Sequence, residues 1–228
     1  MKFTYLGHAC FQINIEPYTI IFDPFIRLNE LAASINFDSL KADFIIITHA
    51  HFDHIADAID LAKQSDATII SNWEICNWAN KNGISKSHSM NIGGSWDFPF
   101  GTVKVIYACH SSSFEDGSYG GTACGFVIQH KNGCFYYSGD TSLNSDMQLI
   151  PKMCAPLDFA VLPIGNNYTM GYKDASIASS MIETKKVIGV HYDTFGYIKI
   201  DKQAAKNHFT KNHQELILMN IGESIQTN

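Results

Sequence analysis

The residues most able to do chemistry are three histidines and one aspartate within six positions, His49, His51, Asp53 and His54. Imidazole nitrogens and carboxylate oxygens are the usual protein ligands of zinc and similar divalent metals. His49 and His51 are two apart, so in an extended segment their side chains leave on the same side. Asp53 and His54 follow where the chain can turn into a helix. One run can thus offer ligands in two directions, which favours a pair of metal ions over a single ion or a solvated His-rich loop.

The flanking sequence predicts the elements that position this run. Before it, the continuous apolar run Phe44–Ile47 is typical of a strand that is buried on both faces. After it, Ile55, Ala58, Ile59 and Ala62 recur at the spacing of an amphipathic helix. Asp53 would lie near the start of that helix, where the helix dipole favours a negative charge. The sequence therefore predicts a rigid strand–loop–helix carrier for the ligands.

Three further strand-like runs also end at a ligand-capable residue, namely His110, Asp140 and His191. In layered α/β proteins, functional groups gather at the carboxyl ends of strands. Taken singly, His110 could be a hydrogen-bonded strand-end histidine, Asp140 a turn or helix cap, and His191 a core histidine. Taken together with the first cluster they make five histidines and two aspartates, enough for two metals with positions left for water.

The rest of the chain reads as strands and helices in a recurring order. A hairpin is predicted around Pro17, and a second one across Lys131–Gly133, where Asn-Gly is a strong turn signal. Stretches 27–41 and 111–121 are predicted loops. A helix over 143–150 should stop at Pro151, while Asp174 and Asp201 can cap two later helices, with Ala178, Met181 and Ile182 inward on the first. A closing strand is expected over 215–219.

Composition limits the classes of function. The 228 residues fit one domain, or one domain built from two similar halves. Hydrophobic residues make up 46% and charged residues 17%, which favours a large core over disorder. The formal net charge of −6 gives no basic footprint for nucleic acid. A small-molecule substrate is therefore expected, including a small phosphorylated one, and the oligomeric state stays open, a homo-oligomer included.

The six cysteines contain no CxxC pair, and several lie in apolar runs, including Cys109 and Cys134. Buried, reduced thiols are the simpler interpretation, and they indicate a cytoplasmic location. The first residues enter an alternating strand pattern rather than a signal peptide, and no apolar run reaches membrane-spanning length. A membrane location is therefore not expected.

The ordered motifs resemble the metallo-β-lactamase superfamily. They are His49-x-His51-x-Asp53-His54, then His110, Ser138-Gly139-Asp140-Thr141 and His191, and they cover nearly the whole chain. Three further segments are similar to the small bacterial and archaeal metal-dependent hydrolases related to L-ascorbate-6-phosphate lactonase: Leu6–Phe11, Leu162–Gly171 and His191–Phe195.

The resemblance implies an α/β fold, an αββα sandwich of two mixed β-sheets flanked by helices, with residues 1–228 forming a single metallo-β-lactamase-like hydrolase domain. It further implies a dinuclear site at one edge of the sheets. The first metal would be held by His49, His51 and His110, the second by Asp53, His54 and His191, and Asp140 would bridge them. The sequence departs from the lactamases with a Cys ligand and from the di-iron flavoproteins, which have Glu where His51 stands.

This ligand set suggests a mechanism as a hypothesis. Two divalent metals, zinc first and manganese or iron also compatible, lower the pKa of a shared water toward neutrality. The resulting hydroxide would attack a carbonyl or phosphoryl centre, with Asp53 orienting it and taking its proton. His8 is a candidate catalytic residue, as substrate contact or proton donor, or else a packed turn histidine. Asn166, Asn167 and Tyr168 are candidate substrate contacts on a loop that could equally be structural.

The preferred function is hydrolysis of a small ester, lactone or phosphoester. A phosphodiesterase or nuclease of the same fold is the alternative, disfavoured by only 16 lysines and arginines. A non-catalytic metal-binding protein is disfavoured by the complete ligand set. A redox di-iron protein would need a flavin domain for which the chain has no room.

Overall fold

Two seven-stranded β-sheets form the centre of the molecule in a computed structural model that describes residues 1–227. The first sheet has the order β14-β1-β2-β3-β4-β5-β6 and the second β13-β12-β11-β10-β9-β8-β7. The strands of the first sheet are β1 Lys2–Gly7, β2 Cys10–Ile15, β3 Tyr18–Phe22, β4 Phe44–Ile46, β5 Thr68–Asn72, β6 Ser87–Met90 and β14 Ser224–Gln226. Those of the second are β7 Ser95–Phe98, β8 Gly101–Tyr107, β9 Cys124–His130, β10 Gly133–Tyr137, β11 Phe159–Pro163, β12 Lys186–Val190 and β13 Glu215–Ile217.

Both sheets are mixed. Strands β1 to β3 pair antiparallel, and β3 to β6 pair parallel. In the second sheet β7 to β10 are antiparallel, and β10 to β13 are parallel. Strand β14 returns from the end of the second half to pair antiparallel with β1, so it covers the outer edge of the first sheet.

Helices cover the outer face of each sheet. They are α1 Phe52–Ile55, α2 Ala58–Ser65, α3 Trp73–Lys81, α4 Ile150–Met153, α5 Tyr172–Met181 and α6 Lys202–Lys211, with 3₁₀ turns at Glu30–Ala32, Phe37–Ser39, Ser145–Leu149 and Gly196–Ile198. None of the helices within residues 1–227 has the length and hydropathy to cross a membrane.

The core has three apolar layers, which confirms the predicted αββα sandwich. Between the sheets, Phe3, Phe11 and Phe22 of the first sheet meet Phe135 and Phe159 of the second, all essentially inaccessible to solvent. The other two layers lie between each sheet and its helices. Alternation places successive side chains in different layers. In the β4 region only Phe44 is partly exposed; Ile46 packs between the sheets while Ile45 and Ile47 pack against the helices, so the strand has apolar contacts on both faces, as its sequence predicted.

Three predicted helix features differ in the structure. The predicted helix over 55–62 is broken into α1 and α2, because the backbone N–H of Asp57 donates to Pro24 O (3.0 Å) instead of to the preceding helical turn. The Asp57 side chain holds the same segment by accepting from the backbone N–H groups of Ile26 and Arg27 (2.6 and 3.0 Å). Pro151 does not stop a helix. It lies in the first turn of α4, where a missing N–H costs little. Asp174 does not cap α5 either, since that helix begins at Tyr172, two residues earlier.

Other expectations were met or missed for clear reasons. Asp201 caps α6 by accepting from Ala204 N at 2.9 Å, as predicted. Strands β6, β7 and β14 escaped prediction because they are short and partly polar. The closing strand ends at Ile217 rather than at 219. All six cysteines are unpaired, and four are buried, whereas Cys109 is exposed despite its apolar neighbours.

Candidate metal centre

All seven predicted ligands meet at one edge of the two sheets. His49 follows β4, His110 follows β8, Asp140 follows β10 and His191 directly follows β12. Because the sheets present these strand ends at the same edge, residues far apart in sequence converge there. The short helix α1 adds Asp53 and His54 from its first turn.

The first group consists of His49, His51 and His110. One ring nitrogen from each lies within 4.8 Å of the others. His49 is fully buried, while His51 and His110 are half-buried and border a cavity. Three nitrogens converging beside an open side form the arrangement expected for one metal with a free position.

The second group consists of Asp53, His54 and His191, joined by His8. One donor atom from each again lies within 4.8 Å of the others. His54 and His191 are almost completely buried, and Asp53 borders the same cavity as the first group. These two clusters contain the two sets that the resemblance implied, and a third cluster of His49, His54 and Asp140 joins them, so the assignment of each ligand to one metal stays a prediction.

Asp140 lies between the two groups. Its Oδ2 is 2.9 Å from His191 Nε2 and 3.3 Å from His54 Nε2 in the second group. The same oxygen is 3.7 Å from His110 Nε2 and 4.0 Å from His49 Nε2 in the first. A single carboxylate oxygen thus lies within 4.0 Å of histidine nitrogens from both groups.

Asp23, which the sequence did not single out as a site residue, fixes the orientation of His54. It is fully buried, and its carboxylate accepts hydrogen bonds from His54 Nδ1 (2.8 Å), the Tyr137 hydroxyl (2.6 Å), and Thr48 N and Oγ1 (2.8 and 2.7 Å). Since His54 Nδ1 donates to this carboxylate, its Nε2 is the nitrogen that faces Asp140 and is available to a metal. Such a second carboxylate is a regular partner of metal-binding histidines. Asp23 directly follows β3, so the strand-end rule that identified the other ligands could have found it.

Two donor atoms fit a metal because the described protein gives them no other partner. Within residues 1–227, His54 Nε2 and Asp140 Oδ1 are buried and lack a hydrogen bond. Buried polar atoms in this state are costly unless something binds them. The nitrogen and oxygen donor set is compatible with zinc, manganese or iron. The residues present therefore fit divalent metal ions.

His8 contacts Asp53 rather than the cavity. Its Nε2 is 3.0 Å from Asp53 Oδ2, and its Nδ1 is 2.9 Å from Thr194 Oγ1. Burial and the neighbouring His191 lower the pKa of His8 to about 4, so the ring is neutral near pH 7. Because a carboxylate only accepts, Nε2–H donates to Asp53, and Nδ1 accepts from the Thr194 hydroxyl. The result is a directed chain from Thr194 through His8 to Asp53.

The electrostatics differ between the two groups. Burial lowers the pKa of His49, His51 and His110, which keeps these imidazoles neutral and able to bind a metal. In the second group burial acts to lower the pKa of His54 and His191, but Asp140 and the other nearby carboxylates outweigh it and raise both, His191 to about 9, so a metal has to displace a proton from each ring. For Asp53 and Asp140, burial acts to raise the pKa, but the surrounding histidines outweigh it and hold both below their usual values. Both carboxylates are therefore ionised at neutral pH.

A cavity of about 610 Å³ opens directly onto the two groups. Besides His51, Asp53, His110, Asp140 and His191, it is lined by four aromatic side chains and by polar residues of the loop over 111–121. The aromatic residues are Phe52, Phe114, Tyr168 and Phe195. A cavity of this volume accommodates a small molecule.

The three candidate substrate contacts are divided by the structure. Tyr168 lines the cavity and is 51% exposed. Asn166 lines a different cavity with Tyr172 and Lys173, and Asn167 is exposed outside the cavity beside the histidines. Both asparagines have positive φ angles, 63° and 60°, a conformation that asparagine tolerates well. The role of all three residues as substrate contacts stays a prediction. Only Tyr168 of the three lines the cavity beside the histidines.

Comparison with known proteins gives consistent relatives. A family profile described as beta-lactamase superfamily domain matches residues 18–192. A protein of Christiangramia forsetii, named UPF0173 metal-dependent hydrolase, is 51% identical to this chain. The match covers 99% of this chain and 100% of the relative's length. A protein of the same name from Flavobacterium johnsoniae is 50% identical. That match also covers 99% of this chain and 100% of the relative's length.

A solved structure agrees with these sequence matches. The metallo hydrolase of the archaeon Ignicoccus hospitalis superposes with a TM-score of 0.86 at 30% identity, covering 98% of this chain and 97% of that one. The profile match, the nearly full-length relatives and this superposition all support one assignment. The chain belongs to the metallo-β-lactamase superfamily and, within it, to the UPF0173 family of metal-dependent hydrolases.

Proposed function

We propose that this protein is a dinuclear metal-dependent hydrolase that cleaves a small ester, lactone or phosphoester. The observation that carries the proposal is the position of Asp140 Oδ2, within 4.0 Å of histidine nitrogens from both ligand groups. One carboxylate so placed supports two metal positions sharing a ligand rather than one isolated site. The adjoining cavity supports a small-molecule substrate.

The chemistry divides between metal ions and side chains. When bound, two divalent ions lower the pKa of a shared water and polarise the oxygen of the bond to be cleaved. His49, His51 and His110 would hold one ion, while Asp53, His54 and His191 would hold the other, with Asp140 between them. Asp53 borders the cavity, so its carboxylate can orient the nucleophile and accept its proton at an oxygen atom.

His8 is a positioning residue in this proposal. It is 1% exposed and does not line the cavity, so it has no direct path to a substrate. Its bond to Asp53 Oδ2 fixes that carboxylate, and Thr194 in turn fixes His8. The sequence-based candidate roles of substrate contact and proton donor are therefore replaced by one that acts through Asp53.

The same ligand set and the composition also support proposals for the metal, the class of substrate and the location of the protein. Zinc is the preferred metal, because a set rich in imidazole suits it, with manganese and iron as alternatives. The net charge of −6 supports a small-molecule partner over nucleic acid. Six unpaired cysteines support a cytoplasmic location. No contact in the structure bears on a homo-oligomer, which stays an open expectation.

The test combines metal analysis with a hydrolysis screen. Protein reconstituted with zinc should hold two ions per chain and hydrolyse members of a panel of lactones, esters, thioesters and phosphodiesters. Asp53→Ala should lower kcat by about a hundredfold or more, since it removes both a ligand and the proton acceptor. Asp38→Ala, an exposed carboxylate outside the site, is the matched control. Fewer than one metal per chain with no hydrolysis, or full activity in Asp53→Ala, would refute the proposal.

A further inference from the structure

The cavity beside the metal ligands has an apolar wall. Phe52, Phe114, Tyr168 and Phe195 face it from four separate segments of the chain. Phe52 and Tyr168 remain 41% and 51% exposed, although large aromatic side chains gain free energy from burial. Exposed aromatic residues gathered around a catalytic cavity indicate a surface that an apolar ligand covers.

Tertiary contacts hold this wall in place. Phe114 stacks on Trp78 with ring centroids 5.4 Å apart, and Phe52 and Phe195 both pack against Phe25 (5.6 and 6.3 Å). The wall is therefore supported before any ligand arrives.

The loop that carries Phe114 is also tied to the metal-binding loop. Ser112 Oγ accepts from Ala50 N at 3.1 Å and donates to Gly120 O at 3.0 Å. A Cβ added at Gly120 would lie 2.2 Å from Ala50 Cβ, so the two loops are in direct contact. The wall and the ligands thus form one preorganised unit.

Apart from the ligand histidines, the charged side chains that line the cavity are acidic. Among residues 1–227, no lysine or arginine lines it. The ionisable lining residues other than histidine are Asp53 and Asp140 beside the ligand groups and Glu115, which is exposed, at the outer loop. Bound metal ions would contact the substrate at the bond that reacts, whereas no lysine or arginine among the described lining residues faces the rest of the cavity. A second anionic group, lying along the aromatic wall toward Glu115, would lose water without gaining a cation.

We infer that the substrate is an ester or lactone whose non-reacting part is uncharged and apolar, an alkyl or aryl group, rather than a molecule with a second phosphate or carboxylate. This inference rests on the proposed function and narrows it. It removes from the expected substrates the phosphorylated lactones of the kind that the sequence resemblance suggested. Phe114, Tyr168 and Glu115 become the residues that select the substrate.

Two esters with the same leaving group test the inference. They are 4-nitrophenyl hexanoate and mono-4-nitrophenyl adipate, whose acyl chains have the same length and differ by a terminal carboxylate. Assayed with the zinc-reconstituted protein, the hexanoate should have a kcat/KM about tenfold or more above that of the adipate. Equal values, or a preference for the adipate, overturn the inference and leave the proposed hydrolase function intact.

Two charge-reversal variants test whether the cavity lining causes the preference for the hexanoate over the adipate. Glu115→Lys should reduce the ratio of the two kcat/KM values severalfold, because it places a cation where an anionic chain end would lie. Glu30→Lys changes the net charge equally at an exposed position that does not line the cavity, and it should leave the ratio unchanged. An equal shift in both variants, or none in Glu115→Lys, contradicts the assignment to the wall.

A binding measurement keeps the inference testable without turnover. In the presence of a chelator, nuclear magnetic resonance titration should show that uncharged acetanilide binds more tightly than 4-acetamidobenzoate. Equal or tighter binding of the carboxylate overturns the inference whatever the hydrolysis assays show. If neither ester is hydrolysed but acetanilide is preferred, the proposed function fails while the character of the cavity stands.

Discussion

Replacing Asp23 with asparagine tests whether this carboxylate supports the second ligand group. Asp23 Oδ2 accepts from His54 Nδ1, the Tyr137 hydroxyl and Thr48 Oγ1, and its Oδ1 accepts from Thr48 N. An asparagine oxygen can replace Oδ2, but its NH₂ group then faces the Thr48 N–H. One buried donor loses its partner, at a cost of about 1–3 kcal/mol, and three charge-assisted bonds become neutral, each weaker by about 1 kcal/mol.

The expected loss is therefore about 4–6 kcal/mol of unfolding free energy. It should appear in urea denaturation of the metal-free variant, where metal binding cannot contribute. With His54 no longer held by a carboxylate, affinity for the second metal should fall about 10–100-fold in titrations against a competing chelator. The first metal, bound by the group containing His49 and His110, should change much less.

Tyr137→Phe is the matched control. It removes one hydrogen bond to the same carboxylate and leaves the charge and His54 contact intact. It should cost about 1–2 kcal/mol of stability and leave both metal affinities near those of the wild type. The reasoning is refuted if Asp23→Asn binds the second metal as tightly as Tyr137→Phe does.

The other predictions concern the neighbouring contacts. Thr194→Val removes the hydroxyl that bonds His8 Nδ1 (2.9 Å), so kcat should fall severalfold with metal content unchanged, and a parallel loss of metal would contradict the positioning role. Gly120→Ala brings a methyl group within 2.2 Å of Ala50 Cβ, which should cost about 1–3 kcal/mol by thermal or urea unfolding, and a wild-type midpoint would show that the loops are not in contact. Removing metal with a chelator should lower Tm by several degrees, reversibly on adding zinc, because ligand binding stabilises the native state; an unchanged Tm would argue against tight metal binding.

Much of the site was predictable from the chain because its ligands follow local rules. His49 and His51 lie after a run of apolar residues, and His110, Asp140 and His191 each follow a strand. Strand prediction and ligand chemistry together were sufficient to place them at one edge. The division into two metal-binding sets came from the resemblance; the structure brings each set together, and the assignment of ligands to two metals stays a prediction.

What the sequence could not supply depends on long-range contacts. Nothing near Asp23 in sequence shows that it meets Tyr137, which is 114 positions away. Nor does local spacing reveal that the backbone N–H of Asp57 donates to Pro24 O, which separates α1 from α2. The same limit applies to the aromatic wall, since Phe52 and Phe195 meet only once both sheets are assembled.

The pairing of β14 with β1 has a consequence for self-association. Strand β1 pairs with β2 on one side. On its other side it pairs with β14, through three residue pairs with Ser224–Gln226. Without that cover, its unpaired N–H and C=O groups would form an open sheet edge, which can accept a strand from another copy of the chain. During synthesis this edge stays open until β14 has been made, so β14 protects the folded domain from edge-to-edge pairing but not the nascent chain.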